Sequence, residues 1–546
     1  MRKQPAVVVA AFALILALAG CVGIPSSGGV QVGPIVNDPD NAEVEFVVSG
    51  PQDDATQDEI LAGFMQAVRA PQSNFAIARL FFTKEMAGSW DPDAGTLIRS
   101  GIATTTIADA PDTLAYTVTT GALVDNRGRY TEPPPAAQTL TFSFAQENGQ
   151  WRISDAPPGI ILSRSSFNLV FDERSLYFFD QSYRYLVPEV RWFAKRSNIT
   201  RDTVSALLAG PSDWLAQAGV TAFPQATTLE SVSVQSAQAI VDLSKEVIDS
   251  TPVARDQMRQ QLVATLGIAN VVISVGGTEL ATPAASGSDA IIPTVDSAAL
   301  VGTDTAFGFN GGGGIANVPG LSNQVVAAQP TAATLSQDKS AAVILAADGV
   351  SLASAGANAV TLLDGRAGLI RPSIDPLGYV WSARGASAAS LLTIEADRTE
   401  HTLQSGLPDD SSIVSMAVSR DGARLLVYLA TPVGPRLAVA GIIRQDGVPV
   451  RLGQLFDLPT PQGAPVDATW VDDKSVATLS GAGVITLVEI GGPTLPLGQL
   501  DGAVSIAGGT AGTDGLRVLS DGEVWRSQGT GWVPTGIAAT LLATKQ

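Results

Sequence analysis

The sequence contains very few of the residues that most catalytic and metal sites need. Its 546 residues include one cysteine, Cys21, and one histidine, His401. A single cysteine allows no disulfide within the chain, and zinc sites built on two or three His or Cys ligands are excluded. A serine-hydrolase triad would have to use His401, whose alternating polar neighbours indicate a surface strand. We therefore predict no catalytic residues, no metal site and no cofactor, and a protein that is not an enzyme.

Basic residues and long apolar runs are also scarce. Lys and Arg number 33 against 52 Asp and Glu, which gives a formal net charge of −19. Such a surface repels phosphate backbones, so nucleic acid is not an expected partner. The apolar run from Val7 to Leu18 is shorter than the roughly 20 residues that a spanning helix requires. The overall apolar content of 45% is nevertheless ample for several ordinary domain cores.

Residues 1–20 have the layout of a secretory signal peptide. Arg2 and Lys3 precede the apolar run, and the segment closes on Leu18, Ala19, Gly20 and Cys21,. This tetrapeptide resembles the lipobox of bacterial lipoproteins. The resemblance implies cleavage before Cys21, an S-diacylglycerol group on its sulfur and an N-acyl (palmitoyl) group on its amino end. An ordinary signal peptide or a short uncleaved anchor is the alternative interpretation.

Lipidation of Cys21 would place the chain on the extracytoplasmic face of the cell membrane. Two acyl chains are about the minimum for durable anchoring, because a single chain binds only marginally. Residues 21–50 are rich in Gly, Pro, Ser and Asp, a composition typical of a flexible tether. The Asn37–Asp40 cluster lacks the alternating ligands, the central glycine and the closing glutamate of a calcium loop. We interpret it as part of the tether.

Residues 51–160 combine helical and strand periodicity. Thr56 and Glu59 form the pattern of a capping box, and a second helical stretch carries Phe75 to Phe82,. Period-two strands and an Asn148-Gly149 hairpin signal follow. This α+β pattern resembles the NTF2-like fold, in which helices lie in the mouth of a bent sheet. Enzymes of that fold use acid/base pairs inside the cone, but the inward positions here are apolar or aromatic and indicate packing.

Residues 165–280 alternate strands with two helices, near Asp202–Ala209 and Pro252–Leu266. The segment resembles the GerMN domain of spore-germination and actinobacterial envelope proteins. The resemblance is carried by three motifs: Leu207-Leu208-Ala209-Gly210-Pro211, Val241-Asp242-Leu243-Ser244, and the helix and strand that end in Val275-Gly276-Gly277. That family brings no catalytic residues. Arg191 and Trp192 are compatible with a contact surface, although a solvated strand end is the interpretation we favour.

Residues 285–546 lose helical periodicity and repeat a β-rich phrase. Each copy has an aspartate at a turn between two apolar runs, namely Asp338, Asp375, Asp421 and Asp472, and a weaker copy starts at Val504. This spacing predicts a β-propeller of about five to seven blades, with a β-sandwich or disorder as alternatives. The aspartates are predicted to hold backbone amides of the turns rather than metal. The glycine-rich Phe307–Gly314 segment lacks the context of a nucleotide loop and is predicted to be a flexible surface loop.

The order of these segments resembles that of the actinobacterial LpqB lipoproteins. The resemblance implies a non-enzymatic accessory factor linked to the MtrA–MtrB two-component system, with the outer part of the sensor kinase MtrB as its partner. A cell-wall component is a further expected partner. One alternative is a ligand binder or hydrolase that uses the propeller channel, with Asp409-Asp410 or Asp472-Asp473 as candidate carboxylates. Another is a solute-binding lipoprotein, which the all-β half argues against.

Overall fold

The computed structural model describes residues 48–282, 290–311 and 314–546. The predicted signal peptide, the lipobox with Cys21 and nearly all of the predicted tether lie outside these residues. Three regions follow one another along the described chain, and their sheets share no strand.

The first region, called here the first domain, packs three helices against a bent sheet. The helices are α1 (Gln57–Ala67), α2 (Gln72–Arg79) and α3 (Lys84–Ser89). The strands are β1 (Gly95–Ile107), β2 (Thr113–Asp125), β3 (Tyr130–Thr131), β4 (Ala136–Glu147), β5 (Gln150–Asp155) and β6 (Ile160–Ser163). Their order is β5-β4-β2-β1-β6, β3 pairs with β2, and β1 runs parallel to β6. Register shifts between β1 and β2 supply the kind of local irregularity that bends a sheet.

Several features of this domain were predicted from short stretches of its sequence. The capping box at Thr56 and Glu59 is confirmed, with both of its hydrogen bonds present at the start of α1,. The inward positions are aromatic as predicted, and Phe64 makes ring contacts with Phe82 and Trp90. The predicted second helix is wrong beyond Arg79. Residues 81–83 instead pair their backbone with Ile153 of β5.

The second region, called here the GerMN domain after the family that its sequence resembles, consists of two small sheets and three helices. Its elements are α4 (Arg164–Val170), β7 (Phe171–Asp180), β8 (Leu186–Ala194), α5 (Ile199–Leu208), β9 (Gly219–Val220), β10 (Leu229–Gln235), β11 (Gln238–Leu243), α6 (Pro252–Leu266), β12 (Asn270–Val275) and β13 (Thr278–Glu279). The sheets have the orders β8-β7-β9 and β10-β11-β12-β13. β11 and β12 are parallel because α6 forms the crossover between them,. The predicted helix Pro252–Leu266 is confirmed; Thr251 caps its start, and Gly267 at φ +66° ends it,.

The third region is a β-propeller of six blades. Five blades follow one another along the chain, and the sixth combines three earlier strands with the last one. The sixth blade consists of β14 (Leu300–Gly302), β15 (Phe307–Gly311), β16 (Gly314–Asn317) and β38 (Leu541–Lys545). A short helix, α7 (Ser322–Ala328), leads from β16 into blade 1. The six blades fall within the predicted range of five to seven.

Blades 1 to 5 are built as follows. Blade 1 has β17 (Ala332–Leu335), β18 (Ala341–Ala346), β19 (Gly349–Ser354) and β20 (Thr361–Asp364), and blade 2 has β21 (Ser373–Ile374), β22 (Val380–Ser382), β23 (Leu392–Ile394) and β24 (Glu400–Thr402). Blade 3 has β25 (Ser412–Val418), β26 (Arg424–Thr431), β27 (Gly434–Gln445), β28 (Val448–Leu452) and β29 (Phe456–Leu458). Blade 4 has β30 (Pro465–Trp470), β31 (Ser475–Ser480), β32 (Val484–Glu489) and β33 (Thr494–Gln499), and blade 5 has β34 (Ala503–Ala507), β35 (Arg517–Ser520), β36 (Glu523–Gln528) and β37 (Gly531–Ala538).

The innermost strands of the blades form a ring that β38 closes. β38 is antiparallel to β14 and parallel to β17. Side chains join the ring further round, since Thr544 and Thr334 share a 2.7 Å hydrogen bond and Gln546 donates to Ser373. The last strand therefore completes a blade begun by β14, a closure that leaves no open edge at the join.

The repeated aspartates lie at the turns between the first and second strands of blades 1 to 4. Asp375 accepts from the backbone N–H groups of Leu377 and Tyr379, and Asp421 accepts from that of Ala423. Asp472 caps its own turn in the same way. Their predicted structural role is confirmed, and so is the position of the weaker copy, which begins the inner strand β34.

The glycine-rich segment after Phe307 corrects the sequence interpretation. Phe307–Gly311 is strand β15, paired with β14 and β16, and the Phe307 side chain is buried. The predicted surface loop is wrong for these residues. Glycine is needed where strands approach closely: a Cβ at Gly308 would come within 2.0 Å of the Ala316 carbonyl oxygen,.

Candidate functional site

Trp192 of β8 lies where all three domains meet. Its ring contacts Phe167 at 4.8 Å between centroids and Tyr130 of the first domain at 6.0 Å. Its indole Nε1 donates a 2.9 Å hydrogen bond to the carbonyl oxygen of Gly491 in blade 4, and its backbone N–H donates to Gly128 of the first domain. One side chain thus fastens the propeller and the first domain to the GerMN domain.

Arg191 is not at a solvated strand end, which was the interpretation that we favoured from its sequence. It is buried and forms a 3.0 Å ion pair with the buried Glu189. Both side chains also bind Ser212, Arg191 donating to its Oγ and Glu189 accepting from its backbone N–H. The interpretation of Arg191 and Trp192 as a solvated strand end is therefore wrong. The contact that they make lies inside the protein.

The GerMN domain covers one face of the propeller. The turns after the inner strands of blades 1 and 4 meet it, with Tyr185 donating to Gln337 and Tyr177 donating to Asp473 at 3.2 Å. In blade 3 the end of β27 reaches Gln181, whose Oε1 accepts from the Arg444 backbone. Consecutive turns of an antiparallel blade lie at alternate ends of its strands. The turns between the second and third strands of each blade, and the connections from one blade to the next, therefore form the opposite face. We call this opposite set the open face.

The open face carries exposed apolar and acidic side chains. Val433, in the turn between β26 and β27, is 98% exposed. Exposed carboxylates lie in the turns of the same face: Asp304, Asp348, Asp409, Asp410, Asp501 and Asp521. A fully exposed valine at the tip of a turn is available for contact with another molecule.

An ion pair with little solvent exposure lies among the inner strands of the ring. Arg371 binds Asp467 of β30 through both guanidinium ends, one of them at 3.0 Å. Asp467 also accepts from the hydroxyls of Ser415 and Ser505 and from the backbone N–H of Ile506. These donors come from blades 3 and 5 as well as from the segment before β21. The pair therefore ties neighbouring inner strands together, and its carboxylate oxygens are fully engaged.

The carboxylate pairs considered as acid/base candidates are separated by the fold. Asp409 and Asp410 lie exposed in a turn of the open face. Asp472 and Asp473 lie on the covered face, where Asp472 caps a turn and Asp473 binds Tyr177. Burial is the main cause that raises the pKa of Asp473, and Arg424 opposes it. His401 sits on the outer strand β24, where its Nε2 is 2.7 Å from Glu395 Oε1, in the surface strand predicted from sequence.

Cavities lie beside the domain junction, and two of them are large. The larger, of about 740 Å³, is lined by Leu97, Leu123 and Ile161 of the first domain, Trp214 of the GerMN domain and Phe456 of blade 3. Trp214 and Phe456 stack at 5.4 Å between centroids. The smaller, of about 490 Å³, lies between the first two domains beside Arg191. Cavities of this size at domain interfaces are common sites for small ligands.

Within the described ranges no helix is both long and apolar enough to cross a membrane. Three or more His, Cys, Asp or Glu side chains that could hold a metal ion do not come together in that part of the chain.

Family models match each of the three regions. The model described as "Lipoprotein LpqB, N-terminal domain" matches residues 50–168, and the one described as "Lipoprotein LpqB beta-propeller domain" matches residues 309–540. A model described as "Sporulation and spore germination" matches residues 175–281 between them. A solved structure is also similar: the first GerMN domain of the sporulation protein GerM from Bacillus subtilis. It is 24% identical over 22% of this chain and 96% of that chain, with a TM-score of 0.18.

Relatives that align over nearly their whole length carry the name Lipoprotein LpqB, which also appears in two of these model descriptions. "Lipoprotein LpqB" of Cutibacterium acnes is 26% identical over 97% of this chain and 96% of the relative. "Lipoprotein LpqB" of Streptomyces coelicolor is 26% identical over 96% of this chain and 93% of the relative. Together with the succession of first domain, GerMN domain and propeller, these matches show that the chain belongs to the LpqB lipoprotein family.

Proposed function

We propose that this chain is a lipid-anchored accessory factor on the extracytoplasmic face of the cell membrane. It acts in envelope signalling by presenting the open face of its propeller to a membrane partner. The observation that carries this proposal is the arrangement of the domains, because one propeller face is docked on the GerMN domain and the other carries exposed side chains. Anchoring at Cys21 would hold that open face at high local concentration near membrane proteins.

The partner we propose is the outer part of the sensor kinase MtrB, so that the factor modulates the MtrA–MtrB system. This identification rests on the resemblance to the LpqB family. A non-enzymatic role is supported by the carboxylates themselves. Asp467 accepts hydrogen bonds and an ion pair from several strands, and Asp472 is committed to its turn. A carboxylate held in this way is poorly placed to exchange protons with a substrate.

Replacement of the lipidated cysteine tests the anchor. Cys21→Ala is expected to leave most of the chain as an unlipidated precursor, because only a thiol can take up the diacylglyceryl group. Signalling should fall with it, since loss of tethering lowers the effective concentration by roughly 100-fold or more. Membrane fractionation and mass spectrometry of the amino end measure this, with Ser26→Ala as the matched control. An acylated Cys21→Ala chain, or a wild-type amino end that carries no acyl group, would contradict the anchor.

The open face is tested by charge insertion at Val433. Val433→Arg should reduce the yield of a partner cross-linked to the anchored protein by more than about fivefold, because a charge placed in a contact costs over 1 kcal/mol. The control is Val253→Arg on α6, which is 54% exposed and lies on the GerMN domain. Cross-linking in membranes followed by mass spectrometry identifies what is captured. Equal loss in both variants, or capture of cell-wall fragments alone, would argue against a kinase-facing open face.

A further inference from the structure

Two glutamates from different domains meet at one lysine. Lys474, in the turn between β30 and β31, contacts Glu173 of β7 in the GerMN domain. Its Nζ is also 3.3 Å from Oε1 of Glu489, the last residue of β32. Two negative charges thus share a single positive charge at the covered face of the propeller, where it meets the GerMN domain. When both carboxylates are ionised, one of them lacks full compensation.

The surroundings of Glu489 remove it from solvent. Its side chain is 14% exposed and folds back over Gly492, where a Cβ would come within 2.0 Å of Oε2. The charged and titratable groups facing it are Lys474 on its own blade, Glu173 of the GerMN domain and Tyr130 of the first domain. Gly491, two residues along, accepts the hydrogen bond from Trp192. Glu489 therefore lies within the contact that joins all three domains.

The electrostatics follow from this geometry. Burial is the largest cause that raises the pKa of Glu489, to about 7, and the charge and hydrogen bond of Glu173 raise it further, against the attraction of Lys474. The pKa of Lys474 is also raised: burial lowers it, but the two carboxylates outweigh that effect. The ordinary pKa of a glutamate in an opened, solvated contact is 4.5. The closed contact thus binds a proton more tightly than the open one.

We propose that the contact between the propeller and the GerMN domain is proton-dependent, with Glu489 holding a proton beside Lys474 and Glu173 when the contact is closed. Acidification tightens the contact. Its stabilisation is complete below the pKa of the open state and is lost as the pH rises to the pKa of the closed state. The stability of this contact would then respond to the pH of the envelope.

Hydrogen exchange of the full chain tests the proposal. Peptides covering 171–180 and 484–492 are followed at pH 5 and pH 8, and each rate is divided by that of Glu489→Gln at the same pH, which cancels the intrinsic pH effect. The wild-type ratio is expected to rise on the order of 50-fold from pH 5 to pH 8,. Glu173→Gln removes the opposing carboxylate, so the rise should shift to lower pH.

Glu279→Gln is the matched control, because Glu279 is exposed on β13 of the same GerMN domain. Its pH profile should follow the wild type. A wild-type ratio that is equal at pH 5 and pH 8 would overturn the proposal. So would a Glu173→Gln profile that coincides with the wild type, since the charge of Glu173 would then have no influence on the proton held by Glu489.

Discussion

Replacement of Trp192 by alanine is expected to lower the free energy of unfolding by about 3–5 kcal/mol, the usual cost of truncating a buried large aromatic residue. The ring is 7% exposed and fills the space between Phe167 and Tyr130. Its loss also removes the hydrogen bond to Gly491. Because these contacts reach both other domains, the variant should unfold in separate transitions rather than lose stability evenly. Calorimetry and chemical denaturation of the full chain measure both effects.

Two controls separate packing from the hydrogen bond. Trp192→Phe keeps an aromatic ring but removes the N–H donor and part of the indole, so it should cost about 1–2 kcal/mol, less than the alanine variant. Trp532→Ala removes a half-buried ring from blade 5, whose Nε1 donates to Leu497 of the neighbouring blade. It should weaken the propeller without separating it from the GerMN domain. A Trp192→Ala chain with the single transition and stability of Trp532→Ala would refute the shared role of Trp192.

Features set by short stretches of sequence were predictable. The Thr56–Glu59 capping box and the start of α6 at Pro252 depend on residues within one helical turn, so the sequence carries them locally. The propeller repeat was also readable, because each turn aspartate bonds amides only a few residues away. These are the parts of the fold where local preference and final structure agree.

The junction between the three domains could not be predicted from the sequence, because the residues that meet there are far apart in the chain. Trp192 meets Gly491 across 299 positions, and Lys474 meets Glu173 across 301. Trp192 lies on a strand of mixed composition, so its sequence context indicated a solvated strand end. Its side chain is buried only because the first domain and the propeller pack against it. Asp467 gave one usable signal: it is an acidic residue inside an otherwise apolar and small-residue strand. A carboxylate in such a strand requires a buried partner.

The ion pair at the centre of the ring should be a sensitive point of the propeller. Asp467→Ala leaves Arg371 and the N–H of Ile506 without their acceptor in a buried position. Breaking one side of a buried pair costs about 3–5 kcal/mol. Arg371→Met combined with Asp467→Leu replaces the pair by apolar side chains and should recover much of that loss. Equilibrium unfolding of the single and double variants measures the difference.

An exposed ion pair on the same propeller provides the comparison. Arg436 binds Asp457 on blade 3, where the carboxylate is 61% exposed. Asp457→Ala should cost about 0–1 kcal/mol, because water already solvates both charges. Both pairs join an arginine to an aspartate through two nitrogens, so the contrast follows from burial and from the further hydrogen bonds that Asp467 accepts. If Asp467→Ala proves no more costly than Asp457→Ala, the central pair does not hold the inner strands together, and the ring depends on its backbone and apolar contacts.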